Sequence, residues 1–347
     1  MRTPRIKISP AEGEAFYHCI SRTINGERIL ADTDKEVLRR QIHTTADYCG
    51  VQIITYAILS NHFHILVAVP PTSTPTDAEL LRRYHVMYPK PNPYQTANIE
   101  FIEEQMETTP DAPEVAAWRR RQLALMGDVS QFMKLLKQRF SIYFNKNHNR
   151  YGHLWSERFK SVLIEGRSGS VNYKSGHALE TVAAYIDLNP VRAGLATDPK
   201  DYRFCGYAEA VAGNTALRTG LSRVAGDRLN DWRGTHANYR ELLFGKGSVP
   251  KGNAASLTPE QLDEVIRTHG KLPLHVLLRC RLRYLTDGAV LGSESFVQKQ
   301  IAIYRARNNL RRASVPRPFP TITDWFDASA SALATLRAPR KAPASTP

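Results

Sequence analysis

The chain has 347 residues, and its 47 lysines and arginines against 33 aspartates and glutamates give a formal net charge of +14 and a pI near 9.7. This balance favours a polyanionic partner such as nucleic acid, although ribosomal and membrane-surface proteins share it. The four cysteines are scattered and contain no C-x-x-C pair, so neither a zinc ribbon nor a disulfide framework is indicated, and no apolar stretch reaches membrane-spanning length. We therefore expect a cytoplasmic protein of about two domains with no membrane partner.

The first elements follow the order strand, helix, strand, strand. β-branched and aromatic residues predict a strand over 15–23 and a hairpin over 52–69, and apolar periodicity predicts a helix over 34–48 between them. With a later helix and strand, this is the order of a ferredoxin-like sandwich, an α+β fold in which helices cover one face of an antiparallel sheet.

His62 and His64 occupy alternate positions of the second hairpin strand, so both imidazoles point to the same face. Two neighbouring imidazoles suit a divalent cation, which could polarise a substrate oxygen if one oxygen ligand were added and further positions stayed open. In the alternative interpretation both histidines merely decorate an exposed strand face. The His-x-His pattern alone does not decide between these two interpretations.

Residues 70–127 interrupt the expected compact pattern. The segment is too long for an ordinary connection between two elements, and it contains Pro-rich stretches followed by an acidic run over 98–114. We interpret it as an insertion that carries one or two helices, over about 77–87 and 115–126.

The fold resumes with a predicted helix over 129–147 and a strand over 161–165. Between positions 131 and 160, basic residues greatly outnumber acidic ones and aromatic residues interleave with them. This pattern is typical of single-stranded nucleic-acid binding, in which basic side chains follow the backbone and aromatics stack on bases. In the alternative, an amphipathic helix buries its aromatics in the core, which we favour for Phe140 and Phe144. The basic candidates for DNA contact are Lys134, Lys137, Arg139, Arg150, Arg158 and Lys160.

A helix predicted over 177–188 would place Tyr185 and Asn189 one turn apart on the same side. Together they offer a phenol nucleophile and an amide oxygen. Because the residue before a proline disfavours helical angles, Pro190 predicts that Asn189 is the last residue of this helix. The alternative makes Tyr185 a core aromatic and Asn189 part of an ordinary helix stop, and Tyr143 is the rival nucleophile.

Five islands, taken together in this order, resemble the HUH single-tyrosine transposases and, within them, the REP-associated tyrosine transposases. They lie at 16–22, 59–64, 133–145, 152–161 and 185–195, and the resemblance spans about residues 14–210. Their joint order is more specific than any single motif. The island over 152–161 adds His153 and Trp155, which are candidates for DNA contact or for packing.

The resemblance implies a divalent ion, Mg²⁺ or Mn²⁺, held by His62, His64 and Asn189. It also implies that Tyr185 attacks DNA, forming a 5′-phosphotyrosine link and releasing a 3′-hydroxyl. The implied partner is single-stranded or hairpin DNA, with repetitive palindromic elements as the class of target.

The remainder of the chain has a different texture. We expect a transposase-type catalytic domain over 1–215, including the insertion, then a helical accessory region over 216–312 and a disordered tail over 313–347. The accessory helices are predicted over 258–268, 273–284 and 293–312. Their many arginines fit a helix-turn-helix-like reader of duplex DNA, and a plain packing module fits equally well.

The function that these features favour is a metal-dependent tyrosine transposase or nickase. This chemistry needs no nucleotide triphosphate, and the sequence contains no G-x-x-x-x-G-K-[ST] loop. Two alternatives stay open: a DNA-binding regulator on an inactive transposase scaffold, and a metal-dependent nuclease that uses water. The sequence does not indicate the oligomeric state.

Overall fold

A seven-stranded sheet organises the part of the chain that this computed structural model describes, namely residues 5–9, 11–71, 74–166, 177–225, 231–244, 289–308, 317–318 and 333–335. Its strands are β1 (Ala15–Arg22), β2 (Gln52–Ile58), β3 (His62–Val69), β4 (Lys160–Ile164), β5 (Val290–Ser293), β6 (Arg317–Pro318) and β7 (Leu333–Thr335). They lie in the order β2-β3-β1-β4-β5-β7-β6. The first four strands pair antiparallel in the ferredoxin-like order, which confirms the predicted fold class. The sheet is nevertheless mixed, since β5 runs parallel to β4.

β1 and β3 are interior strands of the sheet, and almost all of their residues are buried. All of β1 except Arg22 is buried, and so is all of β3 except His62 at its start. A strand buried on both sides needs cover on both faces of the sheet.

Two long helices, α1 (Asp32–Cys49) and α5 (Val129–Asn147), cover one face, as the sequence predicted. α1 ends at Gly50, whose φ of +64° is the left-handed cap conformation that glycine adopts without strain. α5 begins after Asp128, whose carboxylate accepts hydrogen bonds from two backbone amides of the first turn. The two helices pack against each other and define the first helical layer.

A second set of helices packs on the other face and along β2, which adds to the predicted one-sided sandwich. Its members are α6 (His177–Asp187), α7 (Asn189–Arg192), α8 (Gly206–Val211), α9 (Thr215–Ala225) and α10 (Trp232–Phe244). α9 approaches edge strand β2 so closely that a Cβ at Gly220 would lie 2.9 Å from the Cα of Ile54. Glycine therefore permits a contact that covers an otherwise open strand edge.

The insertion contains three helices, not the one or two that the sequence predicted. They are α2 (Asp77–Met87), α3 (Pro93–Thr108) and α4 (Pro113–Leu123). Leu80, Ile99, Ile102 and Trp118 form a small core of their own between these helices. α3 contains most of the acidic run and starts at a capping box formed by Asn92 and Gln95.

The predicted domain boundary at 215 stays a prediction, but the residues beyond it share the main core. Leu217, Leu221 and Tyr239 are buried in the same cluster as the apolar residues of β1, β2 and β3. A further helix, α11 (Glu294–Asn308), reaches this cluster through Ile301.

The remaining predictions for the C-terminal part have mixed outcomes. The predicted helices over 258–268 and 273–284 lie outside the described residues. The disordered tail over 313–347 stays a prediction, and within it the described segments 317–318 and 333–335 pair as β6 and β7, with β7 alongside β5. None of the helices in the described part of the chain combines the length and apolar character needed to cross a membrane.

Candidate active site

His62 and His64 lie side by side on the face of β3 that α6 covers. Their ring centroids are 5.1 Å apart. His64 is only 3% exposed, while His62, at the strand start, is half-buried. The alternation of β3 therefore brings the two imidazoles together as the sequence predicted.

Each of these imidazoles is held at Nδ1 by a polar neighbour. The Nδ1 of His62 lies 2.6 Å from Oδ1 of Asn61, and the amide of Asn61 is oriented by a 2.9 Å bond from Nδ2 to the carbonyl oxygen of Gly26. The Nδ1 of His64 lies 2.9 Å from Nε2 of His18. Burial, followed by the neighbouring His18 and His62, lowers the pKa of His64 well below its ordinary value. The His64 ring is therefore neutral near pH 7, and only neutral imidazole binds a metal.

Tyr185 comes from α6 and lies against His64 and His18. Its ring centroid is 6.1 Å from that of His64 and 6.4 Å from that of His18, both in edge-to-face arrangements. The residue is 3% exposed. On its other side, the guanidinium carbon of Arg192 lies 3.9 Å from the ring centroid, and Nη2 of Arg192 donates to the Tyr185 carbonyl at 2.6 Å.

Asn189 is the first residue of α7 and not the last of the preceding helix, which corrects the sequence prediction. α6 ends at Asp187, and Pro190 falls in the first turn of α7, where a missing N–H costs no hydrogen bond. The Nδ2 of Asn189 donates to the carbonyls of Tyr185 and Ile186 at 3.2 and 3.1 Å. The oxygen is therefore the end of this amide that is suited to a cation.

Asp187 fixes α6 to the sheet, a role that the sequence analysis did not predict. Its buried carboxylate accepts hydrogen bonds from Thr55 Oγ1 at 2.6 Å, Tyr239 OH at 2.6 Å and Cys205 Sγ at 3.2 Å. Burial raises the pKa of Asp187 to about 6, against the opposing effect of these donors. The single carboxylate thereby joins β2, the start of α8 and α10 to the helix that carries Tyr185.

The candidate ligands fit a divalent ion by their donor chemistry. Within the described ranges, no three His, Cys, Asp or Glu side chains come together as a metal centre would require. The third ligand that the resemblance implies, the amide oxygen of Asn189, is outside these four residue types and stays a prediction. Two imidazole nitrogens with one amide oxygen can bind a divalent metal ion and leave further positions for substrate oxygens.

The basic candidates of the segment over 131–160 divide by exposure. Lys134, His153 and Arg158 are exposed. The other candidates are half-buried, namely Lys137, Arg139, Arg150 and Lys160. Arg139 donates to the carbonyl of Met87 at 3.0 Å, which links α5 to the insertion.

Trp155 has the contacts of a packing residue. Its ring meets Phe63 edge to face at 5.4 Å and Phe140 at 5.8 Å, and its Nε1 donates to the carbonyl of Lys137. Tyr151, in the preceding loop, is by contrast 97% exposed. Among the aromatics of this segment, Tyr151 is therefore the best placed to stack on a base.

Tyr143, the rival nucleophile, lies on the face of the sheet opposite to His62 and His64. It packs on Phe140 with ring centroids 5.8 Å apart, and Phe140 leads through Trp155 to Phe63. Phe63 stands between His62 and His64 in β3 and so points away from them.

A known protein family matches the segment of the chain that contains His62 and His64. The sequence model of the family described as "Transposase IS200 like" matches residues 13–79, which include β1, α1, β2 and β3. This match confirms the predicted resemblance to transposases. It contains His62 and His64 and ends before Tyr185 and Asn189.

Among solved structures, the chain is similar to one described as "Structure of the REP associates tyrosine transposase bound to a REP hairpin". The TM-score is 0.33 at 15% identity, over 61% of this chain and 86% of that chain. This likeness is too low to support an inference about the present chain. A search among curated proteins found no match.

Proposed function

We propose that the chain is a tyrosine transposase that cleaves and rejoins single-stranded or hairpin DNA, because residues 13–79 match the model of the family described as "Transposase IS200 like". The observation that carries the proposal is the meeting of two elements far apart in sequence. The phenol ring of Tyr185, on α6, lies 6.1 Å from the ring of His64, on β3.

Tyr185 is the nucleophile of the proposed reaction. Its oxygen attacks the scissile phosphorus and loses its proton, while the bond from phosphorus to the 3′-oxygen breaks and that oxygen leaves as a 3′-hydroxyl. The product is a 5′-phosphotyrosine ester, and the reverse attack by a 3′-hydroxyl rejoins a strand. The ester conserves the energy of the broken bond, so no nucleotide is consumed.

His62, His64 and Asn189 would hold the divalent ion. When bound, such an ion stabilises the negative charge that develops on the phosphate. The protein's own part is to orient both imidazoles, His62 through Asn61 and His64 through His18. Asp187 fixes α6 to the sheet, so that Tyr185 lies against His64.

The basic segment over 131–160 supplies the DNA surface. Lys134 and Arg158 are exposed there, and the half-buried Lys137 and Lys160 extend the surface toward the sheet. Such a surface attracts a phosphate backbone, and Tyr151 offers a stacking platform for an unpaired base.

The test is formation of a covalent adduct. The full chain is incubated with Mn²⁺ and labelled hairpins from the flanks of its own gene, and a denaturation-resistant protein–DNA band is sought. Tyr185→Phe should abolish this band with little change in hairpin affinity, and Tyr143→Phe should retain it. The opposite result would assign the chemistry to Tyr143. Cleavage without an adduct would indicate a water-using nuclease, and tight binding without cleavage a regulator.

The metal requirement has its own test. His62→Ala, His64→Ala and excess chelator should each abolish the adduct, because the ion contributes several kcal/mol of charge stabilisation. His43→Gln is the matched control, since His43 lies on α1 and bonds to Glu209 at 2.8 Å. Full activity in excess chelator would exclude the site.

A further inference from the structure

His18 is a buried histidine in the middle of the interior strand β1, and it is neither a proposed metal ligand nor the proposed nucleophile. It is 0% exposed and lies opposite Leu66 in β3, while the next residue but one, Ile20, lies opposite His64. His18 and His64 are therefore diagonal neighbours on one sheet face. Their rings stack at 5.1 Å with an interplanar angle of 27°.

The bond between these two rings contains one hydrogen, and its position decides what His64 can bind. Nε2 of His18 and Nδ1 of His64 are 2.9 Å apart. If Nδ1 of His64 carries the hydrogen, the lone pair of the neutral ring is on Nε2. If Nε2 of His18 carries the hydrogen, Nδ1 of His64 accepts the hydrogen bond with its lone pair. The neutral His64 ring is then protonated at Nε2 and cannot ligate a cation.

His62 shows the same arrangement without ambiguity. Asn61 donates through Nδ2 to the Gly26 carbonyl, so the atom facing Nδ1 of His62 is Oδ1, which only accepts. His62 must therefore carry its hydrogen on Nδ1 and, when neutral, its lone pair on Nε2. Two rings held alike at Nδ1 present the same nitrogen for ligation.

We propose that His18 is a positioning residue that accepts a hydrogen bond from Nδ1 of His64 and so reserves Nε2 of His64 for a divalent cation. The role rests on the proposed metal-dependent function. An acceptor of this kind fixes both the tautomer and the ring plane of a ligating histidine. Asn61 does the same for His62, and the two acceptors come from different elements, the hairpin tip and β1.

The first experiment reads the tautomer in the metal-free parent protein. Long-range proton–nitrogen NMR of the histidine-labelled chain, with the His64 signals identified by their loss in His64→Ala, should show Nδ1 protonated and Nε2 unprotonated. The reversed tautomer would overturn the proposal. This readout does not depend on whether the chain has transposase activity.

The second experiment measures Mn²⁺ affinity by electron paramagnetic resonance. His18→Leu should weaken Mn²⁺ binding by about 10- to 100-fold, as loss of such an outer partner commonly does. His18→Gln, whose amide oxygen can accept the same bond, should stay within a few-fold of the parent, and His43→Gln should bind as the parent does. Equal losses in His18→Leu and His18→Gln would reduce His18 to a packing residue and overturn the proposal. A parent protein that binds no Mn²⁺ yet forms the Tyr185 adduct would also overturn it, whereas Mn²⁺ binding without an adduct would count against the proposed function alone.

Discussion

Lys137 lies where the basic surface meets the core, and this position changes its ionisation. Its ammonium donates to the carbonyl of Glu157 at 2.8 Å. Desolvation by burial, followed by repulsion from Arg5, lowers the pKa of Lys137 to about 8. The charge of this side chain therefore changes within the range in which DNA binding is ordinarily measured.

We expect the affinity for single-stranded DNA to fall as the pH rises from about 7 to about 9. The protonated ammonium attracts phosphate, so its contribution is present below the pKa of Lys137 and is lost above it. Lys137→Arg keeps the charge and should flatten this part of the profile, while Lys134→Arg should leave it as in the parent. Fluorescence anisotropy at fixed low salt measures the profile. A flat profile in the parent would contradict the prediction.

Tyr151 presents almost its whole ring to solvent, being 97% exposed. Tyr151→Ala should weaken binding of single-stranded DNA by about 1–3 kcal/mol, the usual contribution of one base stacked on an aromatic ring. Tyr94→Ala is the matched control, since Tyr94 is 81% exposed but lies on α3 of the insertion. Equal effects of the two substitutions in the same binding assay would show that Tyr151 has no specific role.

At the scale of elements, the placement of α6 depends on one buried carboxylate. Asp187 accepts hydrogen bonds from Thr55 on β2 and from Tyr239 on α10, a helix that begins only at Trp232. Removing one donor leaves a buried acid with a poorer set of partners. The geometry of Tyr185 is thus sensitive to a helix that does not touch the reacting atoms.

Tyr239→Phe should lower the free energy of unfolding by about 1.5–3 kcal/mol at a pH where Asp187 is ionised, because the lost bond is to a charged group. Urea denaturation monitored by circular dichroism gives the value. Tyr94→Phe removes an exposed hydroxyl and should change nothing. An unchanged midpoint in Tyr239→Phe would show that solvent or another group replaces the bond.

Local patterns predicted most of these elements, and distant pairings escaped prediction. β1, the hairpin and α5 follow from alternation and helical periodicity, which are signals within one segment. α3 was missed because exposed acidic residues dominate its sequence and hide the apolar pair Ile99 and Ile102. The partner of His18 lies 46 residues away and the three donors to Asp187 lie 18 to 132 residues away, so no local pattern could reveal them.

At the scale of the whole molecule, the helices after position 215 serve as cover for the sheet. α9 contacts the backbone of β2 at Gly220, and Arg223 forms an ion pair with Glu14 at the start of β1. Leu217, Leu221 and Val224 complete the apolar side of α9. These helices therefore have a packing role, and a DNA-reading role for the accessory region stays a prediction.

Truncation after position 213 should yield a protein that is insoluble or melts far below the full chain, since β2 loses its cover and Asp187 loses Tyr239. Truncation after position 308, which removes only the short strands β6 and β7 at one edge of the sheet among the described elements, should preserve cooperative unfolding and the adduct. Thermal unfolding and gel filtration of both proteins compare these outcomes. A shorter protein that remains soluble, cooperative and active would show that α9 and α10 are dispensable.

The enclosure of Tyr185 has a consequence for when the chemistry can occur. Because Tyr185 is 3% exposed and Arg192 lies against its ring, the proposed attack on a phosphorus atom would require α6, α7 or Arg192 to move. DNA can favour such an opened conformation only by binding it more tightly than the closed one. At saturating DNA, the adduct would then form no faster than this opening occurs. In the protein without bound DNA, the closed conformation would keep Tyr185 away from other electrophiles.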